Sequence, residues 1–216
     1  MNREWLGTTE GSIPKEGRGL SDYERLLDFN RQDLIGKIVL DLGSGRNENF
    51  SRDLISQNIK STVISLNPEY QNEKKRKNVS NLSDWQKNSV AGEGGALPFK
   101  DESFDQVLGV YSVSRFSEPC YLNWADEIQD MHSKLRQRDK EESLRWLTEI
   151  SRVLKPGGQA RLFPFKAESE EEFLVRYESF FASVRSANLK VDYKRIEDGW
   201  GVTYLVIITK PLQDSE

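Results

Sequence analysis

Apolar residues fall along this chain in blocks of two alternating periods. Over 21–32, Tyr23, Leu26, Leu27 and Phe29 stand near helical spacing, and the compact apolar run at 38–40 then reads as a buried strand. A β-branched run at 62–66 lies one helix-length later, so 47–58 is the natural crossover helix and the three pieces form a βαβ unit. Further strands are predicted at 89–91 and at 105–110, where Val107, Leu108 and Val110 form a run of parallel-strand type. Two helices follow: the first puts Trp124, Ile128, Met131 and Leu135 on one stripe, the second Leu144, Leu147, Ile150 and Leu154. Pro156, Gly157 and Gly158 end the second, because proline cannot continue a helix and glycine supplies the dihedrals for reversal into a strand at 159–164. A helix is predicted over 169–187, with Glu170, Glu171 and Glu172 at its positive end and Phe173, Phe180, Phe181 and Val184 for the core. The alternation at Val191 and Tyr193, the turn EDGWG and the strand-forming VTYLVIIT read as a terminal antiparallel hairpin.

Alternating α and β units closed by a hairpin predict a doubly wound, Rossmann-like α/β fold: a mostly parallel sheet with helices on both faces and an antiparallel strand added. With 216 residues and no internal repeat or Pro/Gly/Ser-rich linker, one domain is expected over 21–212. Residues 1–20, dense in glycine, are expected to be a flexible segment, and 213–216 a tail.

Composition narrows the function classes. The 31 basic and 35 acidic residues leave a net charge of -4, which gives no general attraction to a nucleic-acid backbone. The basic run EKKRK at 73–77 fits the solvated face of a surface helix better than a nucleic-acid patch. One cysteine, Cys120, forms neither an intrachain disulfide nor a cysteine metal cluster, and no metal site is expected. No apolar run approaches the roughly 20 residues that span a bilayer, and the N-terminus lacks the apolar middle of a secretory signal, so a cytoplasmic protein without a membrane partner is expected. His132, the one histidine, falls in a predicted amphipathic helix, where a surface or packing role outranks acid–base work.

In such sheets ligands bind beyond the carboxyl ends of the strands, beside the switch in strand order. After the first strand the chain reads DLGSGRNENF. Gly43 and Gly45 permit a tight turn and close backbone approach, and Asn47 is positioned to cap the next helix. The spacing opposes a nicotinamide dinucleotide site, because GxGxxG counted from Gly43 requires glycine where Glu48 stands, and a carboxylate there opposes a pyrophosphate.

Three blocks together resemble the class I S-adenosylmethionine-dependent methyltransferases, and among them the group with the ubiquinone-biosynthesis type of domain. They are VLDLGSGRN at 39–47, GEGGALPFKDESFDQVLGVYSVSRF at 92–116 and LTEISRVLKPGGQARLFPF at 147–165. The resemblance implies a seven-stranded sheet and S-adenosylmethionine as cofactor. It places Asp41, Gly43, Ser44 and Gly45 around the amino-acid end of that cofactor, Glu93 and Gly94 at the adenine, and Val110 and Tyr111 near the sulfonium. Asn47 stands where the family commonly has a third glycine, a mild change because Asn tolerates left-handed backbone. Ser65 stands where the family usually has the carboxylate that accepts from both ribose hydroxyls, within the stretch Ser65, Leu66, Asn67 that ends the second strand. Asn67 and Glu69 are the nearby substitutes.

The implied activity is in-line methyl transfer to an unidentified small molecule. For an acceptor that must lose a proton, Tyr111, Ser112 and Ser114 are the candidate bases after the fourth strand, and Arg115 is a candidate anchor for an anionic acceptor. Each has an ordinary alternative: stacking for Tyr111, turn capping for the serines, solvation for Arg115. Trp124, Trp146 and Trp200 are candidates for an acceptor pocket, although aromatics at such spacing are usually core. The rival to the enzyme is a catalytically silent binding or scaffold domain, and Ser65 is the feature that sustains it.

Overall fold

The computed structural model describes residues 18–45, 47–71, 88–112, 141, 142, 144–197 and 202–212. The elements in chain order are α1 (Leu20–Leu27), β1 (Ile38–Leu42), α2 (Asn49–Ser56), β2 (Thr62–Leu66), β3 (Ser89–Val90) and β4 (Phe104–Val110). They continue with α3 (144–153), β5 (Leu154–Lys166), α4 (Glu170–Arg176), α5 (Glu178–Ser186), β6 (Lys190–Glu197) and β7 (Val202–Thr209). The seven strands form one sheet in the order β3-β2-β1-β4-β5-β7-β6. β1 to β5 are parallel, and β7 runs antiparallel to both its neighbours. The predicted hairpin is therefore present as β6–β7, with its second strand inserted beside β5.

Period-two alternation splits the buried strand residues between two faces. Val39, Val63, Leu108, Val110 and Phe163 pack with Leu20, Tyr23, Leu26 and Leu27 of α1 and Phe50 and Leu54 of α2. Leu40, Leu66, Val107 and Leu162 pack on the opposite face with Leu147, Ile150 and Val153 of α3 and the phenylalanines of α4 and α5. At the amino ends of the strands, Asp105 of β4 accepts from the Ile38 amide at 2.8 Å and from Lys155 Nζ at 3.0 Å, which ties β1, β4 and β5 together.

Several boundaries differ from the sequence expectation, each for a local reason. α1 ends at Leu27 instead of running to residue 32, because Asp28 turns left-handed (φ 50°) and Arg161 of β5 donates to the Leu27 and Asp28 carbonyls. α3 stops at residue 153, and LKPGG belongs to β5 as a bulge: pairing steps from Phe104↔Leu154 to Gln106↔Gln159, with Gly157 left-handed at φ 77°. The helix expected over 169–187 is two helices, broken at Tyr177, whose hydroxyl donates to the Lys166 carbonyl at 3.2 Å. The helix expected around Trp124, which would hold His132, the run EKKRK, and most of the EDGWG turn with Trp200 lie outside the described residues.

Candidate functional site

β1 delivers Asp41 to the C-terminal edge of the sheet, between β2 and β4. The side chain is fully buried, and Tyr23 of α1 donates to its Oδ1 at 2.6 Å. Its Oδ2 has no hydrogen-bond partner among the described residues. Burial is the main cause of a pKa raised from 3.8 to about 7; the Glu48 carboxylate adds to the rise, and the bond from Tyr23 lowers it.

The loop that follows turns through two left-handed glycines, Gly43 (φ 80°) and Gly45 (φ 71°). A side chain at Gly43 would stand 2.4 Å from the Cβ of Ser112, just past β4, whereas among the described residues nothing lies within 4 Å of one at Gly45. The first glycine therefore closes the loop onto β4, and the second is uncovered by the described residues. The Gly43 and Ser44 amides both donate to the Leu66 carbonyl at the end of β2. Tyr70, buried in the short 3-10 turn Pro68–Gln71 after β2, holds the loop from the other side. Its hydroxyl lies 2.8 Å from Ser44 Oγ and donates to the Gly45 carbonyl at 3.0 Å. Burial, with the Glu48 carboxylate close by, holds the Tyr70 pKa well above its ordinary value.

The residue at the start of α2 is Glu48 and not Asn47 as the sequence reading had it; its own backbone is left-handed (φ 49°, ψ 37°). Its side chain is buried, Oε1 accepts from Ser89 Oγ of β3, and Oε2 has no partner among the described residues. Ser65 and Asn67 are both buried, and Asn67 pairs through its backbone with Val90 and Tyr70. Beyond β3, Glu93 stands exposed on a turn closed by a bridge to Ala96. Gly94 in that turn is packed beneath Trp146 of α3, where a side chain would meet the indole at 2.5 Å. Trp146 thus covers this glycine turn.

At the end of β4, Val110 is buried and Tyr111 is left-handed (φ 57°), its amide donating to the Phe163 carbonyl at 2.7 Å. The Arg18 guanidinium stands 4.0 Å above the Tyr111 ring. Ser112 Oγ is buried without a partner among the described residues; Ser114, Arg115 and Trp124 lie outside them. The structure thus gathers Asp41, Gly43, Ser44, Gly45, Asn47, Ser65, Leu66, Asn67, Val110 and Tyr111 along one edge of β1, β2 and β4, with Glu93 and Gly94 beyond β3. Tyr23, Tyr70 and the buried Glu48 carboxylate are the members that sequence reasoning missed. Tyr70 follows an NPE turn at the end of a strand, the one local signal available; Tyr23 reads in sequence as a core residue of α1.

No protein-family model matches the sequence, and no curated protein matches it. Solved structures do. A methyltransferase from Pyrococcus furiosus is 16% identical, with a TM-score of 0.53 over 89% of this chain and 82% of its own. A SAM-dependent methyltransferase from Methanosarcina mazei is 16% identical, with a TM-score of 0.52 over 82% of this chain and 93% of its own. The chain has the class I methyltransferase fold. That methyltransferase fold is what identities of this size establish, since one fold serves many chemistries. The [4+2]-cyclase SpnF, 15% identical with a TM-score of 0.51 over 85% of this chain and 78% of its own, shares the architecture too. The ubiquinone-biosynthesis subtype rests on the three sequence blocks alone. Among the described residues no helix is long and apolar enough to cross a membrane, and no group of three or more His, Cys, Asp or Glu is placed to hold a metal ion.

Proposed function

We propose that the protein binds S-adenosylmethionine along the edge of β1, β2 and β4 and transfers its methyl group in line to a small-molecule acceptor. The observation that carries this reading is the left-handed loop of Gly43 and Gly45, sealed onto β4 at the first glycine and, among the described residues, open at the second, beside a buried carboxylate with an oxygen unpartnered among those residues. The donor set fits the ligand. Around the loop, Asp41 Oδ2, Glu48 Oε2 and Ser112 Oγ are buried acceptors without a partner among the described residues, with the donor Arg52 Nε of α2 likewise unpartnered among them, while S-adenosylmethionine brings donors in its ammonium and ribose hydroxyls and an acceptor carboxylate.

In this reading Asp41, Gly43, Ser44, Gly45 and Asn47 hold the amino-acid end, Ser65, Leu66 and Asn67 flank the ribose, Glu93 and Gly94 border the adenine, and Val110 and Tyr111 close on the sulfonium. When bound, the sulfonium would supply an activated methyl for in-line transfer to an acceptor lone pair, with the thioether S-adenosylhomocysteine as leaving group and the acceptor proton passing to a base or solvent. The chain's part is positioning and exclusion of water. Tyr111, left-handed at the end of β4 with Arg18 above its ring, would border the site on that side. For an acceptor that must be deprotonated, Tyr111 and Ser114 are the candidate bases, and Arg115 the anchor for an anionic acceptor.

The second reading is a catalytically silent binding or scaffold domain on this fold whose cofactor site is degenerate and no longer binds S-adenosylmethionine. It is favoured by Ser65, a buried hydroxyl where a ribose-binding carboxylate is expected. Titration calorimetry with S-adenosylmethionine and S-adenosylhomocysteine separates the two. The enzyme reading expects binding of both by the wild type and a loss of at least about tenfold, roughly 1.4 kcal/mol, in Gly43→Ala, whose new Cβ has no room beside Ser112. A folded wild type that binds neither ligand overturns it.

A further inference from the structure

Asp41 of β1, Ser65 of β2 and Ser89 of β3 stand side by side in register. In a parallel sheet register partners point to the same face, and adjacent strands lie about 4.8 Å apart, so the row spans about 10 Å. At one end is Asp41, whose Oδ2 has no hydrogen-bond partner among the described residues; at the other, Ser89 donates to Glu48, whose Oε2 likewise has none among them, with the Tyr70 hydroxyl beside the carboxylate. The middle of the row is Ser65, whose side chain is too short to extend beyond the strand end. Glu48 thus brings a carboxylate from the start of α2 to the row's far end.

Two features make Glu48 more than a support for β3. A buried carboxylate oxygen is costly unless a donor reaches it. Glu48 also holds left-handed backbone, which is unfavourable for a residue with a side chain. A residue there without a carboxylate would avoid the first cost, and glycine would avoid the second. A ligand that donates two hydrogen bonds to one carboxylate, as a vicinal diol does, answers both oxygens at once by sharing Oε1 with Ser89 and taking Oε2. A chelated cation fits less well, since among the described residues no third carboxylate, histidine or cysteine joins Asp41 and Glu48.

We propose that Glu48 is the carboxylate that accepts from the ribose hydroxyls of the nucleoside ligand, reaching over Ser65 from α2 in place of a carboxylate on β2. This rests on the cofactor reading above. The site keeps the charge and moves its source from the sheet to the helix start.

The test is titration of S-adenosylhomocysteine and its 2′-deoxy and 3′-deoxy analogues into wild type, Glu48→Gln and Glu48→Asp, with thermal melts confirming the fold. Glu48→Gln is expected to weaken S-adenosylhomocysteine roughly 10- to 100-fold. The deoxy analogues are expected to lose affinity on wild type and to lose little further on the variant, a non-additive cycle that marks direct contact. If Glu48→Gln does not fold, Glu48→Asp, which keeps the charge and withdraws the oxygens by one methylene, is expected to lose the discrimination against the deoxy analogues. Wild-type affinity in Glu48→Gln, additive losses, or full discrimination in Glu48→Asp overturns the role of Glu48 and leaves the cofactor reading standing. A folded wild type that binds none of the three ligands overturns the cofactor reading itself, and this inference with it.

Discussion

Asp41 is the residue whose ionisation couples the site to stability. Its pKa is raised to about 7 in the fold, against about 3.9 for a free aspartate, by burial first and by Glu48 second. A carboxyl with a raised pKa binds more protons in the native state. Its stabilising contribution is therefore complete below the unfolded value and is lost as pH rises through about 7. Between about pH 4 and pH 7, Asp41 is expected to make the ligand-free protein progressively less stable. Asp41→Asn, which keeps an acceptor for Tyr23, is expected to flatten that decline; urea midpoints at pH 4.5 and 7.5 measure it, and an unchanged slope would remove Asp41 as its source. Glycine identity at 43 and 45 could be read from sequence because the loop's requirement is local. The Tyr23 partner of Asp41 and the Tyr70 clamp could not, since each depends on where another element packs.

At the scale of elements, α1 and α2 seal the face beneath this site. The joint is Asp53, in the middle of α2, which accepts from the Leu20 amide at 2.8 Å and so satisfies the first turn of α1. Gly19 leaves the room for it: a side chain there would stand 2.4 Å from Asp53 Oδ2. Asp53→Ala is expected to cost about 1 kcal/mol, the usual worth of a helix cap, seen as a lower urea midpoint at unchanged m-value. The buried positions of both helices were visible as periodicity, but nothing in either helix alone names the other as its partner. The break at Tyr177 was also out of reach. An unbroken amphipathic stripe describes 169–187 equally well, and the break follows from the tyrosine's contacts with Phe165 and Phe173.

For the whole molecule, the antiparallel end of the sheet is held by a cluster of rings. Phe173 of α4 is fully buried, stacked on Tyr204 of β7 at 4.1 Å and in contact with Tyr177, Phe181 and Tyr193. Phe173→Ala is expected to cost about 3–5 kcal/mol, the range for emptying a packed aromatic site. Because β5 stands between the site's strands and β7, ligand affinity is expected to survive in the folded fraction. Equilibrium unfolding and calorimetry on the same preparation measure the two effects separately, and a parallel loss of affinity would show that the ends of the sheet are coupled.

Strand and helix character, their sequence order and the glycine loop were determined by the sequence, because hydrophobic period and backbone permissiveness act over a few neighbouring residues. Which strands lie side by side, and hence which polar groups meet, was decided by tertiary structure. Glu48 meets Ser89 from 41 positions away and Ser44 meets Tyr70 from 26, distances over which no local pattern runs. In sequence Glu48 was a residue that spoiled a dinucleotide motif; only the order β3-β2-β1 sets its carboxylate beside the strand end where Ser65 carries none.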